Sequence, residues 1–129
     1  MAVVSDKYRG TPAYHTVYCE LLAAARYRGT VTYQEIAQVM GLPLQGSHMG
    51  KEVGHILGEI AEDEMTSGRP MLSAVAVGVS GEPGPGLFAL ARALGRLKGD
   101  SAEAKAKFWE KERDSCYQTW KRVLRDGRK

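Results

Sequence analysis

The segment TYQEIAQVMGLPLQGSHMGKEVGHIL, residues 32–57, decides how this chain folds. Thr32 and Glu35 stand three apart, the spacing of a capping box. In that arrangement the Thr hydroxyl takes a backbone N–H of the first turn and the Glu carboxylate reaches back to the Thr. Ile36, Ala37 and Met40 then share one face, and Gly41-Leu42-Pro43 closes a helix of about two turns. A polar turn, Leu44 to Gly46, leads to Ser47, the expected cap of a longer helix. That helix has the apolar stripe Val53, Ile56, Leu57, Ile60, Ala61 and Met65. Short capped helix, turn, longer amphipathic helix is the pattern of a helix-turn-helix. Many helical pairs share that pattern, so it does not fix a function.

Upstream, Tyr14, Val17, Tyr18, Leu21, Leu22 and Ala25 make one stripe of a helix from about Thr11 to Arg28. Gly29 stops it, and the β-branched Thr30 and Val31 suit a very short strand. Downstream, Gly68-Arg69-Pro70 ends the long helix. Met71 to Val79 is apolar on both alternating faces, which predicts a strand covered on both sides. Gly81 to Gly86 is a turn, Leu87 to Lys98 a further helix, and Gly99 its stop. Asp100 with Glu103 is the expected cap of a last helix reaching about Leu124, with Trp109, Cys116, Trp120 and Val123 on a broken stripe. The expectation is one mainly helical α+β domain over residues 1–129. It is winged-helix-like, with a small sheet and a long C-terminal helix, about residues 101–125, as an extension.

The chain has 129 residues, 43% hydrophobic and 26% charged, with a net charge of +3. That composition excludes general disorder, collagen-like repeats and a mostly membrane-embedded chain. The N-terminus carries Asp6 and no long apolar run behind it, unlike a signal peptide. The longest nearly uncharged stretch, Pro70 to Ser80, is far below membrane-span length. The cytoplasm is therefore the expected compartment, with Cys19 and Cys116 as two buried thiols. His15, His48 and His55 are scattered, so no zinc-site spacing arises, and neither metal nor cofactor is expected.

Catalytic constellations are thin. The Gly-rich turn follows a strand and opens a helix, as a phosphate loop does. Pro83 and Pro85, however, remove two of the N–H groups such a cradle needs, and no Lys-Ser/Thr pair follows. A tight connection, or a wing beside a DNA groove, is the better reading. The run Glu59, Glu62, Asp63 and Glu64 reads as a solvated face. Ser73 has no nucleophile elbow around it, and neither cysteine has a neighbouring His or Lys to activate it. No enzyme is indicated. Charge is uneven: residues 1–49 carry +1, 50–68 carry −4, 69–100 carry +2 and 101–129 carry +4. The basic excess gathers at Lys121, Arg122, Arg125, Arg128 and Lys129, where it eases approach to phosphates. On this reading only the N-terminal end of the long helix can approach DNA without repulsion.

Gly29-Thr-Val-Thr-Tyr-Gln-Glu-Ile-Ala37 resembles the G-x-V-[ST]-Y-Q/G-x-[IL]-A segment of the O6-alkylguanine-DNA alkyltransferases and alkyltransferase-like proteins. Gly41-x-Pro43 and Lys51-Glu52-Val53-Gly54 are similar to the family's G-x-P and R-A-V-G, the latter after a longer turn. The resemblance covers roughly Arg28 to Leu57. It implies a helix-turn-helix in the DNA minor groove, with Tyr33 at a phosphate, Gln34 near the backbone and Lys51 in the place of the stack-filling Arg. A Lys has no planar group to stack in a vacated space, so phosphate contact carries over better than base flipping. The family's P-C-H-R is replaced by Arg69-Pro-Met-Leu-Ser-Ala-Val-Ala-Val77, with neither Cys nor His, which excludes alkyl transfer on chemical grounds.

Two functions follow. The first is a non-enzymatic binder of double-stranded DNA using Tyr33, Gln34, Ser47, His48 and Lys51, with Lys121, Arg122 and Arg125 as basic support. The second is a protein-interaction module on the same scaffold with little or no DNA affinity, supported by the acidic third helix and by a partly exposed Trp109–Cys116–Trp120 stripe on the last helix.

Overall fold

Thr11 accepts a hydrogen bond from the Tyr14 backbone N–H, and Pro12 takes the first helical position, where a missing N–H costs nothing. Helix α1 (Pro12–Arg26) starts there. The computed structural model describes residues 2–44 and 46–121. After α1 come β1 (Val31–Thr32), α2 (Tyr33–Val39), α3 (Ser47–Thr66), a 3₁₀ turn (Leu72–Val75), β2 (Ala76–Val77), α4 (Pro85–Ala93) and α5 (Ala102–Trp120). The architecture is α+β and mainly helical. Both halves of the Thr32–Glu35 capping box are formed.

Helix ends follow local chemistry. Gly41, at φ 75°, closes α2 with its own N–H on Gln38 and the Leu42 N–H on Ala37, which satisfies the last carbonyls. The same two bonds close α1, from Arg28 to Ala25 and from Gly29 to Ala24, but here the left-handed position is held by Arg28 at φ 57°. Gly29 is thus one residue beyond the stop that the sequence predicts it to be.

The two short strands pair in parallel, Val31 opposite Ala76 and Thr32 opposite Val77. Parallel neighbours need a crossover, which α2, α3 and the 3₁₀ turn supply. Gly81 to Gly86 therefore joins a strand to a helix. The expected strand over Met71 to Val79 is reduced to two residues, because Leu72–Val75 coils into the 3₁₀ turn. Its burial is as expected as far as Val77, but Val79 is exposed. A continuous apolar run reports burial and leaves the backbone conformation open. Three boundaries also differ. Gly46, not Ser47, is the N-cap of α3; Ser101, not Asp100, caps α5 through the Ala104 N–H; and α4 spans Pro85–Ala93.

The core joins Val17, Leu21 and Ala25 of α1, Ile36 of α2, Val53, Ile56 and Ile60 of α3, the 3₁₀ turn and Cys116. A second cluster seats α4 through Leu87 and Ala91 on Ala61, Met71 and Leu97. Cys116 is buried with its Sγ 3.2 Å from the Met71 carbonyl, whereas Cys19 lies exposed on α1. Only one thiol is therefore internal.

The acidic run of α3 is not a solvated face. Glu59 and Glu64 have no exposed surface, and Glu52 and Glu62 are buried beside them. A buried carboxylate is tolerated only when its lone pairs are taken. Glu59 accepts from the backbone N–H groups of Lys7, Tyr8 and Arg9 at 3.3, 3.0 and 2.8 Å. Glu62 accepts from Val3 and Val4 at 2.5 and 3.0 Å and from the Arg9 guanidinium at 2.9 Å. Glu52 takes the Lys7 ammonium and the Tyr8 hydroxyl. Tyr14 donates to Asp63 at 2.6 Å, and Tyr18 and Arg69 donate to Glu64. Residues 3–9 are thereby strapped along α3 by side chains of that helix.

Candidate nucleic-acid interface and an adjoining cavity

Helix α3 leaves the backbone N–H groups of its first turn without intrahelical acceptors, as every helix does. Here Gly46 at the N-cap, φ 101°, provides no side chain to take them, and no acidic residue stands in the first turn. Ser47, His48 and Lys51 are all exposed there. Lys51 is three residues from His48 and four from Ser47, so the three share one side of the helix. A helix N-terminus of this composition favours an anion. Further along α3 the acids are folded inward against Lys7, Arg9 and Arg69, so the −4 of residues 50–68 does not face solvent as a block. That corrects the expected repulsion along the second half of the helix.

Gln34 is exposed on α2, with its amide donating to the Leu44 carbonyl at 3.2 Å across the turn that joins α2 to α3. Tyr33 is placed differently from its neighbours. Its ring packs under Gly78 and Gly84, and its hydroxyl accepts the Gly84 N–H at 2.6 Å. Burial raises its pKa above the ordinary tyrosine value, against the pull of the Gly84 N–H, so the phenol keeps its proton. Tyr33 therefore ties the Gly-rich turn to α2. Lys121 is exposed just beyond α5, and Arg122 and Arg125 lie outside the described residues.

Behind the helix pair lies a cavity of about 450 Å³. Gly50, Gly54 and Gly58, each four residues apart on α3, form one wall; Gly84, Pro85 and Gly86 at the start of α4 face them, and Tyr33, Ser73 and Val4 complete it. The four-residue glycine spacing was legible in the sequence, but what it faces depends on where α4 docks, which no local pattern encodes.

On the last helix Trp109 and Trp120 are half-buried, and only Cys116 of the expected stripe is internal. Cys116 is fully buried and its thiol pKa is pushed up to about 12 by burial and by Glu112 and Glu64. The Trp109 indole donates to the Ala74 carbonyl at 2.9 Å, and the Trp120 ring lies beneath the Arg69 guanidinium. Part of each ring packs against the core and part stays at the surface.

No family model, curated protein or solved structure matches this chain. Among the described residues no helix is long and apolar enough to cross a membrane.

Proposed function

We propose that this chain is a non-enzymatic DNA-binding domain that sets the N-terminal turn of α3 against a phosphate of the duplex. The observation that carries the reading is the uncapped, acid-free first turn of α3 with Ser47, His48 and Lys51 exposed on it. The likeness of Gly29 to Ala37 to the alkyltransferase segment points the same way, with Gly81 to Gly86 as a wing-like edge of a winged-helix arrangement. Tyr33 supports this surface by fixing the turn. The second reading is a protein-interaction module on the same scaffold, for which Trp109 and Trp120 of α5 remain half-buried while Cys116 is internal.

The test is a fluorescence anisotropy titration with short duplex and single-stranded DNA across a salt series. Lys51→Ala should weaken duplex binding and reduce the salt slope by about one unit, and Lys51→Glu should weaken it further. If the combined removal of Lys121, Arg122 and Arg125 abolishes binding while Lys51→Ala changes nothing, the contact is a basic tail and the proposal fails. We also expect no alkyl transfer, since Met71 to Val77 offers no thiol and Cys116 is buried and protonated. The intact mass should stay constant on incubation with DNA containing an O6-alkylguanine.

A further inference from the structure

We propose that the cavity between α3 and α4 is a binding site for a small carboxylic acid with an apolar body, of the medium-chain fatty type. Four features of that cavity lead to this reading.

The first is the glycine wall. Glycine inside a helix weakens it relative to alanine, so three in one helix need a reason. Packing does not provide one: a Cβ at Gly50 or Gly54 would meet nothing within 4 Å, and neither residue has a left-handed backbone. At Gly58 a Cβ would meet Val4 and Leu90 at ordinary contact distances. The helix thus forgoes side chains where there is room for them, and the room is the cavity.

The second is size and lining. About 450 Å³ falls in the range of small-molecule sites, which are mostly apolar with a few convergent polar groups. Val53, Leu57, Leu87 and Leu90 give the apolar part, and no Lys, Arg, His, Asp or Glu lines the cavity.

The third is the end of the cavity at α4. Pro85 occupies the first helical position without an N–H, so the next donors are the backbone N–H groups of Gly86 and Leu87. No side chain caps this helix and no acid stands in its first turn. Tyr33 meets the same place. Its hydroxyl accepts from Gly84 and so retains its proton to donate.

The fourth is Ser73. It is 7% exposed, it lines this cavity, and its hydroxyl has no hydrogen-bond partner among the described residues. The hydroxyl oxygen keeps accessible surface at the cavity wall, so a ligand there can meet it directly. The polar groups are all donors or hydroxyls, and a helix N-terminus favours negative charge, so the matching head group is a carboxylate.

The experiment is a titration of the full ¹⁵N-labelled chain with octanoate, with octan-1-ol as the neutral control and no DNA present. Failure here is therefore separate from failure of the DNA-binding reading. Octanoate should move the amides of Gly50, Gly54, Gly84 and Gly86 saturably and bind at least tenfold more tightly than octan-1-ol. Tyr33→Phe should weaken octanoate about fivefold, the loss of one hydrogen bond. Gly54→Leu should abolish binding by filling the space, and Ser73→Ala provides a second, smaller change should that variant not fold. Saturation absent at millimolar octanoate overturns the proposal, as does equal affinity for octan-1-ol with no effect of Tyr33→Phe or Ser73→Ala. Shifts of the same glycines with protein concentration alone would place a second copy of the chain in the cavity and overturn it too.

Discussion

Arg28 holds a backbone conformation that glycine adopts freely and that a residue with a Cβ adopts at a cost of roughly 1–2 kcal/mol. Replacing it with Gly should raise stability by about 0.5–1 kcal/mol, after the extra freedom gained by the unfolded chain. Denaturant unfolding monitored by circular dichroism checks this, and an unchanged midpoint would show that Arg28 is not strained. At Glu59 the opposite holds, for one carboxylate takes three consecutive backbone N–H groups in a place without solvent. Glu59→Ala should cost about 3 kcal/mol, because those donors lose their acceptor on burial. A loss below about 1 kcal/mol would mean that water replaces the carboxylate. The difference between these two residues also explains what could be read beforehand. Thr32 and Glu35 were legible as a cap because their partners lie three residues away. Glu59 was not, since its partners lie 50 to 52 residues away and only the folded chain brings them together.

At the scale of elements, the stripes of α1 and α3 were legible because helical periodicity is local, and Val17, Leu21, Val53, Ile56 and Ile60 are buried as their spacing requires. The apolar run after Pro70 was legible as buried and illegible as a 3₁₀ turn, since both conformations bury it. The contact between α3 and the strap also sets a pH dependence. The Lys7 ammonium, and then the Tyr8 hydroxyl, hold Glu52 down at about 2 from an ordinary value of 4.5. Burial pushes Glu62 up, but the N–H groups of Val3 and Val4 and the Arg9 guanidinium outweigh it and leave its pKa lowered. A lowered carboxylate pKa gives stability that is complete above the unfolded value and lost as pH falls through the folded one. Stability should therefore decline from about pH 4.5 toward pH 2. Burial and nearby carboxylates raise Tyr8 and Tyr18 to about 12, so their contribution is present below pH 10 and lost between pH 10 and 12. Unfolding midpoints across both ranges, with Glu52→Gln flattening the acid limb, provide the measurement.

Over the whole molecule, α3 is the hub: the strap lies along it, α4 packs on it across the second cluster, and the helix pair ends at its first turn. The candidate interface was half legible. Ser47, His48 and Lys51 could be placed together from a turn and a helical repeat. Tyr33 could be singled out, but its bond to Gly84, 51 residues on, could not be foreseen. Tyr33→Phe should release the Gly-rich turn, seen as faster hydrogen exchange at the Gly84 amide with little change at Ile36. Equal protection of Gly84 in both proteins would show that the turn is held by its own prolines.

The strap has a consequence for the order in which the chain folds. Residues 3–9 meet their carboxylates across 44 to 59 residues of sequence, and those carboxylates cannot leave water until the strap arrives. During synthesis the strap emerges well before α3 and waits unpaired until that helix has cleared the ribosome. Closing so long a loop around already charged groups belongs after the transition state, so substitutions in residues 3–9 should speed unfolding and leave the folding rate nearly unchanged.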